Sequence, residues 1–308
     1  MTTGISQANA ITVVIQTFNR LPILRLCLQY LEAQTVTDFD VIVVNDGSTD
    51  GTEEALIEIQ KCSPLRLRIL SQQNAGPARG RNFAIGNATT NLCLLIGDDI
   101  LASPGLLEAH LRFHRENPNR AAVGLGWTKW DQLHQDVTPF MQWYEEIQFD
   151  YGRLTFGLDP TWHHFYTSNL SFKTDLVRTN PFDERFKRAA WEDIELGYRL
   201  ITEDKAHLTF LREALATHVH PTTFLQAVKR MQTLGSSEHQ FHQIWPAARN
   251  NLATDTKTKI CAFLAIHPLL LESLTLTVDR LSRFLRPGKL HAAVLRSHQL
   301  RRYLESHP

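Results

Sequence analysis

The strongest constraint on this chain is a change of hydrophobic period that recurs through its first 130 residues. ITVVIQ (11–16), DVIVVND (40–46) and LCLLIG (92–97) are short apolar runs of the kind that forms strands buried on both faces. LRLRIL (65–70) alternates with period two, and AAVGLGW (121–127) is a further apolar run. Between the runs the period becomes helical. Ile23, Leu24, Leu28 and Leu31 follow Pro22, which a helix start tolerates, and Ala55, Leu56 and Ile59 follow a turn-rich GSTDGT (47–52). Gly76 to Ile85 reads as a third helix. Ser103-Pro104 predicts the start of a fourth, running through Phe113. This alternation predicts an α/β fold, a mainly parallel central sheet with helices on both faces. The C-terminal ends of such strands share one edge, where ligands of open α/β sheets bind.

The residues expected at that edge carry chemistry. Thr17, Asn19 and Arg20 follow the first strand, Asp46, Ser48 and Asp50 the second, and Asp98 and Asp99 the run at 92–97. Adjacent carboxylates at the end of a buried strand are costly unless a cation neutralises them. A hard divalent ion that also takes substrate phosphates suits such a place. No G-x-x-x-x-G-K-[ST] or G-x-G-x-x-G loop follows the first strand, which argues against P-loop enzymes, kinases and ordinary dehydrogenases. A nucleotide bound without such a loop needs metal and basic residues on its diphosphate, and Arg79 and Arg81 stand near this edge.

The matching segments TFNR (17–20), VNDGSTDGT (44–52), NAGPARGRN (74–82), GDD (97–99), NPFDERF (180–186) and WEDIELGYRL (191–200) give the sequence its resemblance to the family-2 glycosyltransferases. These are inverting enzymes of glycosyltransferase-A (Rossmann-like) fold that use nucleotide-diphospho-sugars. The resemblance spans about residues 11–220. It implies transfer of a sugar to an acceptor hydroxyl with help from Mg²⁺ or Mn²⁺, in polysaccharide, glycolipid or other glycoconjugate synthesis. It implies nucleotide contacts from Thr17, Asn19, Arg20, Asp46, Arg81 and Asp98, with Asp46 accepting from a ring N–H. Metal binding falls to Asp99 and Asp98, joined by His218 or His220. Asp193 matches the catalytic base, and Trp162, Asn169 and Glu192 match the acceptor side. The chain departs from the family where Asn45 stands before Asp46 and where Ile96-Gly97 precede the aspartate pair. The alternative reading is a catalytically degenerate nucleotide-sugar-binding or scaffold protein.

Charge divides the chain. From Pro221 onward there are 12 lysines and arginines against 5 acids, a net of +7, while the whole chain is neutral. A boundary therefore falls at residue 221, with a catalytic domain over 1–220 and a helical extension over 221–308. Overall neutrality argues against a nucleic-acid partner. The extension reads as helices over 222–233, 237–250, 256–272, 274–286 and 288–305, split by Pro246, Pro268 and Pro287. In LTLTVDRLSRFLR (274–286), Arg280, Arg283 and Arg286 lie on or near the polar side, which suits either peripheral contact with anionic lipid or packing against protein. The first residues have no basic, apolar leader pattern, so the sequence reads as cytoplasmic, with membrane-peripheral attachment left open. On that reading the four scattered cysteines are reduced, and the Asn87 and Asn169 sequons are not glycosylated.

Overall fold

The apolar runs at 11–16, 40–46 and 92–97 become strands buried on both faces, while the alternating run at 65–70 becomes a half-exposed edge strand. A computed structural model describes residues 11–188, 190–249, 256–282 and 286–306. In chain order the first part contains β1 (Thr12–Thr17), α1 (Leu21–Glu32), β2 (Asp40–Asn45), α2 (Thr52–Cys62), β3 (Arg66–Ser71), α3 (Pro77–Asn87), β4 (Leu92–Gly97), β5 (Ile100–Ala102), α4 (Leu106–Glu116) and β6 (Ala122–Trp130). There follow α5 (Pro139–Phe149), α6 (Tyr151–Thr155), β7 (Asn169–Lys173), α7 (Thr174–Thr179), α8 (Glu192–Thr202) and β8 (His207–His218). The chain then enters α9 (Phe224–Ile244), α10 (Thr256–Ile266), α11 (Pro268–Leu281) and α12 (Lys289–Glu305).

These elements form two compact units. One comprises residues up to Gln135 together with Phe149–His220, the other Asp136–Gln148 together with Pro221 onward. The return of 136–148 to the second unit has no counterpart in the sequence reading.

The first unit holds one eight-stranded sheet in the order β3-β2-β1-β4-β7-β6-β8-β5. β1 to β4 are parallel, β7 is antiparallel to both β4 and β6, and β8 is parallel to β6. The five runs read from sequence therefore all point one way. β7 and the short β5 run against them. Alternate residues feed opposite cores, as period two requires. Val13, Ile15, Val41 and Val43 pack with Leu24, Leu28, Leu56 and Leu106. Val14, Ile42 and Val44 pack with Ile85, Leu176, Leu196 and Leu200 on the other face. Each such buried aliphatic side chain contributes about 1.5–3 kcal/mol relative to exposure.

Three sequence expectations are corrected. Ser103-Pro104 does not open the fourth helix. It sits in a turn in which the Leu106 amide donates to the Ser103 carbonyl, and α4 starts at Leu106. The expected pair 222–233 and 237–250 is one helix, α9, started by a reciprocal Thr223–Gln226 capping box. Gly235 does not break it. A side chain there would collide with the backbone carbonyl of Gln299, so the glycine is a contact point between α9 and α12. The expected 256–272 helix breaks instead at His267, with Pro268 opening α11. Of the three arginines singled out in that region, Arg280 lies on α11, Arg286 lies after it, and Arg283 is outside the described residues.

Candidate active site

The strands that run together deliver Thr17, Asp46, Asp98, Trp130 and His218 to one edge of the sheet. Arg20, from the turn after β1, reaches both aspartates. Its Nη1 lies 3.1 Å from Asp98 Oδ1, and its Nη2 lies 2.6 Å from Asp99 Oδ2. Thr17 Oγ1 donates to the second oxygen of Asp98 at 2.8 Å. Two imidazoles converge on the Asp99 oxygen that Arg20 holds, His218 Nε2 at 3.0 Å and His220 Nδ1 at 3.2 Å. Backbone pairing sets this meeting. β5 begins one residue after Asp99, and its Ile100 is the antiparallel partner of His218. The two histidines, at i and i+2, share a face as extended backbone requires.

Burial and the neighbouring Asp99 push Asp98 up to about 7, against the pull of Arg20, Thr17 and His220. Burial also pushes Asp99 up, but His218, His220 and Arg20 together outweigh it and hold that carboxyl well below its ordinary value. Trp130 stacks flat on His218, with centroids 5.1 Å and planes 11° apart. His218 Nδ1 is buried and has no hydrogen-bond partner among the described residues.

Asp99, His218 and His220 fit a divalent cation. They offer one carboxylate oxygen and two imidazole nitrogens, all within 4.8 Å of one another. The guanidinium on the same carboxylate marks the place as one that requires positive charge.

A second group lies where α3 and α8 begin. Trp191 adopts a left-handed backbone (φ 70°), and α8 starts at the next residue. Holding a bulky residue there costs about 1–3 kcal/mol. Glu192, 3% exposed, accepts from Arg81 Nη1 at 2.7 Å, and the guanidinium lies over the Phe182 ring. Glu192 Oε2 has no hydrogen-bond partner among the described residues. Asp193 Oδ1 accepts from the Ile194 amide at 2.8 Å. Its charge adds to burial and to Tyr151 in raising the Tyr166 phenol. Tyr166 lines a cleft of about 430 Å³ with Asp150, Arg153, Leu158, His163 and His164. Tyr166 packs edge-on against Phe149, which in turn packs edge-on against His218, so a run of rings links the two groups.

Three expected site residues also hold the scaffold together. Asp46 is fully committed. Oδ1 accepts from Gln72 Nε2 and the Ala75 amide, Oδ2 from Gln16 Nε2 and the Gly76 amide, all within 2.7–3.1 Å. These four bonds match the about four acceptor positions of a carboxylate; two of them come from glutamine side chains. The carboxylate ties β2 to the loop before α3, where Gly76 takes a left-handed turn (φ +88°) hard against the Lys187 backbone. Asn19 also holds loops together: its amide donates to Ser48 Oγ and its side-chain oxygen accepts from the Thr49 amide. Asn169 is not on an acceptor surface. It is wholly buried in β7, bonded to His110 Nε2 and to the Ala214 carbonyl, in a cluster with Ser171 and His114. Burial lowers His110 to about 4 and His114 to about 3, so this cluster is neutral. Trp162 is half-buried, stacked on His163 and edge-on to Tyr198 of α8.

Asp46→Asn turns one acceptor oxygen into a donor facing two donors. It is expected to destabilise the fold by about 1–3 kcal/mol, read by urea denaturation. Unchanged stability with weakened nucleotide binding would instead favour the nucleotide contact that the resemblance implies.

Residues 12–178 match the family model for Glycosyl transferase family 2, and the chain belongs to that family. Its sequence is 31% identical over 222 residues to a validoxylamine A glucosyltransferase of Streptomyces hygroscopicus subsp. jinggangensis (strain 5008), covering 63% of this chain and 52% of the relative. It is 28% identical over 232 residues to the uncharacterized glycosyltransferase YfnE of Bacillus subtilis (strain 168), covering 60% and 58%. The chain thus spans about half the length of the curated relatives it matches. Similar solved structures include PcManGT, a mannosyltransferase of Pyrobaculum calidifontis in complex with GDP-Man and Mn²⁺ (TM-score 0.60, 14% identity, 98% of this chain and 88% of that one). TarS of S. aureus in complex with UDP is another (TM-score 0.52, 18% identity, 95% and 89%). At these identities the likeness establishes the fold. Asp193, His218 and His220 lie beyond the matched residues.

Proposed function

We propose that this chain is an inverting glycosyltransferase that moves a sugar from a nucleotide-diphospho-sugar to an acceptor hydroxyl with a divalent cation. The observation that carries the reading is the convergence of His218, His220 and Arg20 on one buried oxygen of Asp99. It is supported by the family membership and by the UDP-, UDP-GlcNAc- and GDP-Man-bound structures of the same fold.

Asp99, His218 and His220 would hold the cation, with Asp98 beside it. Two imidazoles among the donors favour Mn²⁺ over Mg²⁺, which prefers an all-oxygen shell. When bound, the ion supplies Lewis-acid stabilisation of the negative charge developing on the leaving diphosphate. Arg20 adds a fixed positive charge at the same edge, and Thr17 orients Asp98. Arg81, paired with Glu192, holds the start of α8 in place. Asp193 accepts the acceptor's proton as its oxygen attacks the anomeric carbon from the face opposite the diphosphate. The new C–O bond forms, the sugar–phosphate C–O bond breaks, and its electron pair leaves with the diphosphate, inverting the configuration.

A nucleotide-diphosphate release assay over a panel of nucleotide-sugars, acceptors and metals tests this reading. Mn²⁺-dependent release that rises with acceptor is expected. Binding without release under every condition would instead favour the degenerate, binding-only protein.

A further inference from the structure

The second unit presents an apolar corner that its own core does not use. α10 packs Cys261, Leu264 and Ala265 inward, with the Cys261 thiol 3.8 Å from the Ala293 carbonyl of α12. Its other face is apolar too: Ile260, Phe263 and Ile266 are 50%, 54% and 63% exposed. The chain then bends by 111° at His267-Pro268 and continues with Leu269 and Leu270, 81% and 48% exposed. Scattered exposed leucines need no explanation, but a contiguous set that runs from Ile260 over the bend to Leu270 does. Between 260 and 271 there is no charged residue.

The charges around this corner are mostly positive. Lys257 and Lys259, both exposed, stand at the start of α10. Arg280 is exposed near the end of α11, and Arg286 and Lys289 follow. The acids of the stretch 256–290 are Glu272 and Asp279, and Glu272 lies 3.8 Å from Arg301. No single helix among the described residues is long and apolar enough to cross a membrane. At 1.5 Å per residue, α10 and α11 measure about 17 and about 21 Å, each short of a ~30 Å hydrocarbon core. Short bent helices with an apolar corner and cationic flanks suit the boundary between headgroups and acyl chains.

We propose that the α10–α11 corner is a wedge that inserts Phe263, Ile266, Leu269 and Leu270 into one leaflet of an anionic bilayer, with Lys257 and Lys259 on its headgroups. The amphipathic segment expected from sequence lay at 274–286, whereas the exposed apolar face centres on the bend at His267-Pro268, N-terminal to that segment.

The test is co-sedimentation of the full chain with phosphatidylcholine vesicles, with and without phosphatidylglycerol. The wild type should pellet with anionic vesicles and bind neutral ones about tenfold more weakly. Ile266→Ser/Leu269→Ser, at exposed positions that leave the core intact, should weaken binding to both by about tenfold or more. Lys257→Glu/Lys259→Glu should abolish only the anionic preference. Leu269→Trp emission should shift to the blue on adding anionic vesicles. A wild type that stays in the supernatant, or variants that pellet as it does, would overturn the proposal. A wild-type dimer that Leu269→Ser converts to monomer would also overturn it and assign the face to a second copy. No sugar donor is present, so neither result depends on the transferase reading.

Discussion

Asp193→Asn is expected to lower turnover by about 10²–10⁴-fold, the range that removal of a general base produces. Donor affinity should stay within about twofold, because the asparagine oxygen can still accept from the Ile194 amide that Asp193 holds at 2.8 Å. The start of α8, and with it the Arg81–Glu192 pair, then keeps its geometry. The measurement is single-turnover transfer beside calorimetric donor binding. A fall in binding with unchanged single-turnover rate would move Asp193 from proton acceptor to donor site. Near-wild-type transfer would remove it from the chemistry altogether.

Asp99→Asn is expected to act earlier in the cycle. The substitution removes the negative charge on which Arg20, His218 and His220 converge. Mn²⁺ binding, followed by electron paramagnetic resonance, should fall beyond detection at concentrations that saturate the wild type. Turnover should drop by about 10³-fold, since a Lewis acid supplies several kcal/mol of charge stabilisation in such a reaction. The variant should still fold, because the freed guanidinium is 35% exposed and can turn to solvent. Unchanged Mn²⁺ affinity would place the cation elsewhere. Retained turnover with lost Mn²⁺ binding would make Arg20 sufficient without metal.

The aspartate pair was legible in the sequence because short, strongly apolar strands locate their own C-terminal ends, and chemistry beyond those ends stands out. The histidines at 218 and 220 were legible as a pair on extended backbone. Their partner Trp130 was not, because only the pairing of β6 with β8 brings them together. Asp46 and Asn169 show the limit of motif reading. Their types and positions fit the family pattern, but that pattern does not show the side-chain bonds to Gln16, Gln72 and His110, remote in sequence, that tie each into the scaffold. Gly235 shows the same limit in the second unit. Glycine weakens a helix locally, yet here it is what lets α12 approach. The break at His267 lay inside the helix expected over 256–272, although Pro268 disfavours a helical residue before it, so the local signal was present and outweighed by the apolar run.

The three-residue strand β5 has a consequence out of proportion to its length. It leaves Asp99 and at once pairs with the end of β8, so the aim of His218 is settled by which residue faces Ile100. Slipping β8 by a single position would turn that imidazole to the opposite side of the sheet. If Asp99, His218 and His220 hold the cation as proposed, ion affinity and strand alignment are one property, and an edge ribbon three residues long is the gauge for both.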